Sequence, residues 1–451
     1  MGGASTTWSE EMRRAPNDLP KAIFLSCGTR VINSPASAKV TWATSDVPHR
    51  VRLFALGVPL YLVVIHLWTW GLTLPLALAG RADFRQFYAA GAMVRSGNSR
   101  QLYEYAIQKQ FQDALVSPKP TALPFVSPAY HALIFAPFSA LSYPAAYLVF
   151  LACNVAALAI CFILLWPWMQ NLRVVHPWLP FTLFLGFLPV AYALIQGQDS
   201  VLLTTLLAGA FVFLHRQHNF YAGILVGLGL FKFPIVLPIA LLFLIWRCWS
   251  FFLGFGATAI TLAALSVGLA GLGQTKLYIA SLVSISGLRP PVSDLARYPI
   301  VLEQMANVHG FVFATGNGWM PKPWIQAITL LLSLVILAWT ARKGWNVTES
   351  SALLLLAIPC AVLVGHHTYI HDLSVLLLPT IVLLDSFLHC ASGDGKTAPF
   401  ISRAAALMFA VPLVESFSGN HFFFVALAVL LLLAAAGKAA KSASILSSEA
   451  F

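Results

Sequence analysis

The chain has 451 residues, of which 59% are hydrophobic and only 10% charged, against about 25% charged in a typical soluble domain. That balance excludes a water-soluble fold. The formal net charge of +11 does not point to nucleic acid either, because many Lys and Arg residues sit in short connections between apolar runs, the pattern of topological bias in a membrane.

In chain order, residues 1–50 form a polar segment with Arg13, Arg14, Lys21, Arg30 and Lys39. It lacks the apolar centre of a cleavable signal peptide, so the first span is expected to act as its own insertion signal, with the N-terminus cytoplasmic. Apolar runs follow at 53–78, 143–166, 178–195, 200–214, 219–231, 233–246, 250–272, 323–341, 350–365, 372–388, 403–416 and 420–437. They predict an all-α, polytopic helical membrane protein with about 10–12 membrane segments. One transmembrane domain is expected over 51–438, followed by a cytoplasmic tail, 439–451.

Every second connection is basic: Arg173, Arg216, Arg247, Arg342 with Lys343, Lys396 with Arg403, and Lys438 with Lys441. This parity sets those connections on the cytoplasmic side. A 14-residue helix covers only about 21 Å of a ~30 Å hydrocarbon layer, so 219–231 and 233–246 are read as a hairpin turning at Lys232. A single tilted span through Lys232 would place Arg247 and Arg342 outside, against the bias.

The opposite connections carry the chemistry. They are a long loop at 79–142 with Pro118, Pro120, Pro124 and Pro128, the break Gln196-Gly197-Gln198-Asp199-Ser200, Lys232, a second loop at 273–322 with Pro290, Pro291 and Pro299, and the run His366-His367-Thr368-Tyr369-Ile370-His371-Asp372. Both loops are expected to fold on the membrane surface. Of six cysteines, Cys153, Cys161 and Cys360 lie in apolar runs and none forms a CxxC pair, which indicates neither a disulfide framework nor a zinc site. Asn346-Val-Thr matches the glycosylation triplet but falls on the side assigned as cytoplasmic.

Asp83, just after the first span, is placed to take the proton of a hydroxyl while a lipid phosphate leaves; the bland alternative is an interfacial acid paired with Arg81 or Arg85. Lys232, closely flanked by apolar residues, suits a lipid phosphate, because point-charge attraction strengthens where water is scarce. Its alternative is a snorkelling lysine. His367 and His371 stand at i,i+4, so on a helix both would face one ligand. Two histidines do not fill a coordination sphere, so hydrogen bonding to sugar hydroxyls is favoured over a metal. Gln198 and Asp199 sit at a tight turn explained by Gly197, where Asp199 or Ser200 would cap the next helix. Asn307 and His309-Gly310 are weaker signals in the second loop.

Taken in order, these landmarks resemble glycosyltransferase family 87, the polyprenyl-phosphate-mannose-dependent mannosyltransferase group with the type C multispanning fold. The resemblance runs from Asp83-Phe84 with Tyr88 and Gly91, through Leu102-Tyr103, Pro128, Ala136-Pro137 and Gly197-Gln198. It continues through Ala222-Gly223 to Lys232, then Met305-Ala306-Asn307, and His371-Asp372-Leu373 leading to Leu377-Leu378-Pro379, covering roughly 50–390. The chain departs in having Lys232-Phe233-Pro234 where the family often has Lys-Pro, and Gly365-His366 where it has Ser-Pro.

The resemblance implies an inverting transferase that moves a hexose, mannose above all, from a polyprenyl-phosphate donor to a lipid or glycan acceptor, at the extracytoplasmic face of a bacterial plasma membrane. It assigns Asp83 as catalytic base and Lys232, Gln198, Asp199, Tyr88, His367, His371 and Asp372 to donor and sugar binding, with no metal and no cofactor. A transporter or flippase of lipid-linked glycans is the rival from another class. It would show related halves and ionisable groups near the midplane, whereas the halves here are dissimilar and the polar landmarks one-sided. A membrane scaffold ranks third.

Overall fold

A bilayer core offers no water to backbone N–H and C=O groups, so each apolar run must satisfy them internally, as helix. In the computed structural model, which describes residues 49–285, 301–390, 397–419 and 421–448, the runs do so. The helices are α1 (His49–Leu76), α2 (Phe84–Arg95), α3 (Tyr105–Leu115), α4 (Ala129–Phe135), α5 (Tyr143–Leu165), α6 (Gln170–Val175), α7 (Leu179–Leu185), α8 (Leu188–Ile195), α9 (Ser200–His215), α10 (Asn219–Leu228), α11 (Phe233–Ile245), α12 (Trp249–Ile285), α13 (Val308–Gly316), α14 (Lys322–Gly344), α15 (Ser350–Val364), α16 (Leu377–Cys390), α17 (Thr397–Phe417) and α18 (Val425–Ser448). Among the described residues there is no strand, only an isolated bridge between Met305 and Tyr369. Nearly all of the polar segment expected over 1–50, together with Pro290, Pro291, Pro299 and Lys396, lies outside the described residues.

Seven stretches are long and apolar enough to cross a membrane by length and composition, with shorter apolar helices at Ser200–His215, Ser350–Val364 and Val425–Ala440. The chain is therefore an all-α polytopic membrane protein. One of the seven, Asn219–Ile245, folds back at Lys232. A Cβ on Gly227 would come within 2.8 Å of Thr258, and one on Gly223 would strike the Phe251 backbone, so α10 and α12 run in the same direction at backbone contact. Removal of the side chain is what permits such an approach. α11 must then return, and it does: its first turn, at Pro234, lies by Gly365, while Trp246 just beyond its end donates to Ala341 O at 2.9 Å. Pro234 in the first turn of α11 needs no hydrogen-bonded N–H there.

The bundle thus has two distinct ends. At one, Arg173 stacks over Trp166, His215 meets Glu349 at 3.2 Å, and the Asp385 carboxylate accepts from Leu172 N at 2.9 Å. This end holds the basic connections. At the other end lie Asp83, the 196–199 turn, Lys232 and the histidine run.

The first long loop, 79–142, is a folded cap built from α2, α3 and α4 around an aromatic core that it shares with α5. Phe84 stacks on Phe150 with centroids 5.2 Å apart, and Phe87 on Phe135 at 4.9 Å. Arg85, buried, ties the cap together by donating to Gln112 Oε1 at 2.9 Å and Ser117 O at 2.6 Å and pairing with Asp113 at 3.2 Å. The hydrogen bond from Lys109 to Asp113, with Arg85 behind it, holds that carboxyl below its ordinary value.

Helix extends beyond the apolar runs at two places. Residues 273–285, read as the start of the second loop, remain helical: α12 kinks at Gly271, where φ is +83°. Its outer arm then packs on the cap, with Tyr278 stacked on Tyr103 at 4.7 Å and Gln274 Oε1 accepting from Tyr103 N at 2.9 Å. Likewise α18 continues to Ser448, through residues expected as a tail.

Candidate active site

Asp83 is positioned by the turn between α8 and α9. Gly197 takes φ +59°, and a Cβ there would meet Phe84 at 2.7 Å; glycine is what lets this turn lie against the start of α2. Phe84 N donates to Gln196 O at 3.0 Å, Asp83 N to Gln196 Oε1 at 3.2 Å, and Gln198 Nε2 to Asp83 Oδ2 at 2.8 Å. The carboxylate precedes α2 yet makes no capping bond. Nor does it form an ion pair with Arg81 or Arg85, the latter being engaged by Asp113. Among the described residues Asp83 Oδ1 has no partner, and Asp83 lines a cavity of about 510 Å³.

Gln198 links Asp83 to Lys232, since its Oε1 accepts from Lys232 Nζ at 3.0 Å. Lys232 Nζ also contacts Asp372 Oδ1 at 2.9 Å and Asp199 Oδ1 at 3.1 Å. The ammonium is thus hydrogen-bonded to one neutral acceptor and ion-paired with two carboxylates. Lys232 is therefore not a snorkelling lysine: its side chain is 16% exposed and paired with two nearly inaccessible carboxylates. A buried charge is tolerable on those terms. Asp199 turns from the capping role open to it and contacts His131 Nε2 at 3.0 Å, while Asp372 Oδ1 accepts from Ser200 Oγ at 3.0 Å and Oδ2 from Tyr369 N at 3.1 Å.

The histidine run folds otherwise than its spacing suggests. His367 lies in a bend and His371 in the 3-10 helix Ile370–Leu376, so the i,i+4 relation on one α-helix does not arise. Both nonetheless line the cavity. Asn307 seats the run by donating to Gly365 O at 2.5 Å, while its Oδ1 accepts from Gly310 N at 2.8 Å and caps α13. His309, His366 and His367 form a row, with ring centroids 4.7 and 4.6 Å apart. Burial, with the neighbouring imidazoles, pushes His367 down to about 3, and neither of its ring nitrogens has a partner among the described residues.

Of the predicted site residues, Asp83, Gln198, Lys232, His367, His371 and Asp372 line one cavity. Asp199, only 1% exposed, lies behind it. Tyr88 is the correction: it points into the cap, donating to Leu141 O at 2.7 Å and packing edge-on to Tyr143, and is absent from the cavity wall. On a helix of 3.6 residues per turn, five residues beyond Asp83 is about 140° around the axis. Sequence reasoning missed His131, which is fully buried and stacked on Phe231 at 5.0 Å. It missed Gln86 in the cavity wall as well, and named Tyr369 only as part of the histidine run. Gln196 and Tyr369, each inside a stretch already singled out, carried a local signal.

A membrane-spanning helical bundle with a polar, carboxylate-bearing cavity at one end has the layout of an enzyme site. Residues 125–366, more than half the chain, match glycosyltransferase family 87, and the chain belongs to that family. The matched stretch holds His131, Gln198, Asp199, Lys232 and Asn307; Asp83, His371 and Asp372 lie outside it and join it through the contacts above. Neither a curated protein nor a solved structure matches the chain.

Proposed function

We propose that this glycosyltransferase moves a hexose, mannose in the first instance, from a polyprenyl-phosphate donor to a lipid or glycan acceptor with inversion, on the extracytoplasmic side of a bacterial plasma membrane. The observation that carries the reading is the chain Asp83–Gln198–Lys232 at one cavity, with one carboxylate oxygen of Asp83 unpartnered among the described residues.

Asp83 takes the proton of the acceptor hydroxyl as that oxygen attacks the anomeric carbon. The bond from that carbon to the phosphate oxygen breaks, and the phosphate leaves with the electron pair. Lys232 serves in two ways. It orients Gln198, whose amide holds Asp83, and it presents positive charge to the donor phosphate, which competes for an N–H with Gln198 Oε1, the neutral acceptor among its three partners. Such preorganised charge acts where the leaving group gains its own. His367, neutral near pH 7, and His371 offer donors and acceptors to sugar hydroxyls. The confinement of these groups to one end of the bundle favours this reading over a transporter.

The test is to incubate purified protein with a panel of polyprenyl-phosphate sugars and an acceptor extract, beside Asp83→Asn. Consumption of one donor, abolished in the variant, is expected. Transfer undiminished by Asp83→Asn would overturn the role of Asp83.

A further inference from the structure

A second cavity, of about 620 Å³, runs along α1 between α8 and α17, lined by residues such as Tyr61, Trp68, Leu76, Leu188, Leu413 and Phe417. It is a groove in a lipid-facing surface, since Tyr61, Trp68, Leu72 and Phe417 are all exposed. It is not apolar throughout. Arg81 stands in its wall, exposed and without an ion pair among the described residues. His66, only 7% exposed, also lines it; its Nδ1 lies 3.0 Å from Leu185 O, which makes Nδ1 the donor and leaves Nε2 an unpartnered acceptor. From His66 to Arg81 the helix covers roughly 20 Å, the scale of a lipid chain within one leaflet.

The groove meets the first cavity at Tyr192 and Gln196, which line both. Asp83 is held between two glutamines that lead in different directions. Gln198 leads to Lys232, and Gln196, which accepts from Asp83 N, leads to the groove. An inverting displacement needs the nucleophile on the side of the anomeric carbon opposite the leaving phosphate. If the phosphate lies toward Lys232, the acceptor hydroxyl reaches Asp83 from the side of Gln196.

We infer that the groove seats the hydrocarbon chains of an anionic acceptor lipid, with its phosphate on Arg81 and a headgroup hydroxyl reaching Asp83 past Gln196. The role of Asp83 rests on the function proposed above; occupancy of the groove does not. An unpaired guanidinium beside an apolar trough complements a phosphate joined to hydrocarbon.

The full chain, reconstituted in nanodiscs, would be photolabelled in separate arms with phosphatidylglycerol, phosphatidylcholine or polyprenyl phosphate, each carrying a diazirine in its hydrocarbon, and the labelled peptides mapped. Phosphatidylglycerol is expected to label Tyr61–Leu76 and Leu413–Phe417, and Arg81→Gln to cut that labelling about tenfold while leaving phosphatidylcholine labelling unchanged. Labelling of the groove by polyprenyl phosphate would assign it to the donor and overturn the inference, as would phosphatidylglycerol labelling indifferent to Arg81→Gln. In turnover, Ala191→Trp, which fills the groove, is expected to raise the acceptor KM at least tenfold with the donor KM unchanged; the reverse split would also overturn it. Because labelling needs no turnover, a protein that transfers no sugar yet labels as expected would defeat the proposed reaction and leave the groove assignment standing.

Discussion

Three aspartates lie at or just behind one cavity wall, and their surroundings separate them. Asp199 and Asp372 share the ammonium of Lys232 and take further contacts from His131, Ser200 and the Tyr369 backbone. Asp83, half-buried, takes one neutral hydrogen bond from Gln198 and keeps an oxygen open to the cavity. A carboxylate that already satisfies a cation is poorly disposed to receive a proton; one held in place by an amide is not. Free lone pairs, rather than the mere presence of an acid, are what single out Asp83 as the proposed base.

The largest expected effect tests that contrast directly. Asp83→Asn keeps the shape and the contact with Gln198 but removes the proton acceptor, and should lower transfer by about 10²- to 10⁴-fold, the usual contribution of general-base catalysis. An equal loss of rate in Asp199→Asn with unchanged thermal stability would blur the distinction. Lys232→Met should act on folding as well as turnover. It leaves two buried carboxylates facing one another, a loss of about 3–5 kcal/mol when one partner of a buried pair is removed. Chemical unfolding of the detergent-solubilised protein would measure it, and Lys232→Met combined with Asp372→Asn should recover part of the loss.

A smaller effect concerns the row of imidazoles. Held down at about 3 by burial, His367 stays neutral in the folded chain where a free imidazole, near 6.5, takes a proton. The unfolded state therefore binds more protons between about pH 6.5 and 3, and stability falls as pH drops through that window, by at most about 1.4 kcal/mol per unit from this group. His309, lowered for the same reason, adds in the same direction. In melting curves across that range His367→Phe should flatten the dependence; an unchanged slope would assign it elsewhere. Smallest of all, Tyr88→Phe should cost about 1 kcal/mol for the lost bond to Leu141 O and leave both kinetic constants as they are.

The spans were legible because the bilayer forces backbone satisfaction into continuous apolar helix. The reversal at Lys232 was legible because the basic connections demand it. The outer arm of α12 was not: residues after Gly271 mix Gln, Lys and Tyr with apolar positions, and their helical state depends on packing against Tyr103 in the cap. At the site, residue types were visible and partnerships were not. Lys232 reads as a lone cation because its two carboxylates lie in other helical segments, and His131 carries no sign of Asp199. Tyr88 entered through the resemblance to the family, and its hydroxyl turns into the cap.

The fold-back at Lys232 bears on how the molecule is made. The tip of the α10–α11 hairpin is synthesised well before the 3-10 helix bearing Asp372. A nascent chain can therefore supply Lys232 with Asp199 but not with its second counter-ion. The hairpin must wait, with its charge incompletely matched, until the later segment has been delivered by the insertion machinery. Completion of this charge cluster is thereby a late event in biogenesis, and chains arrested before that point should present the lysine to quality-control proteases.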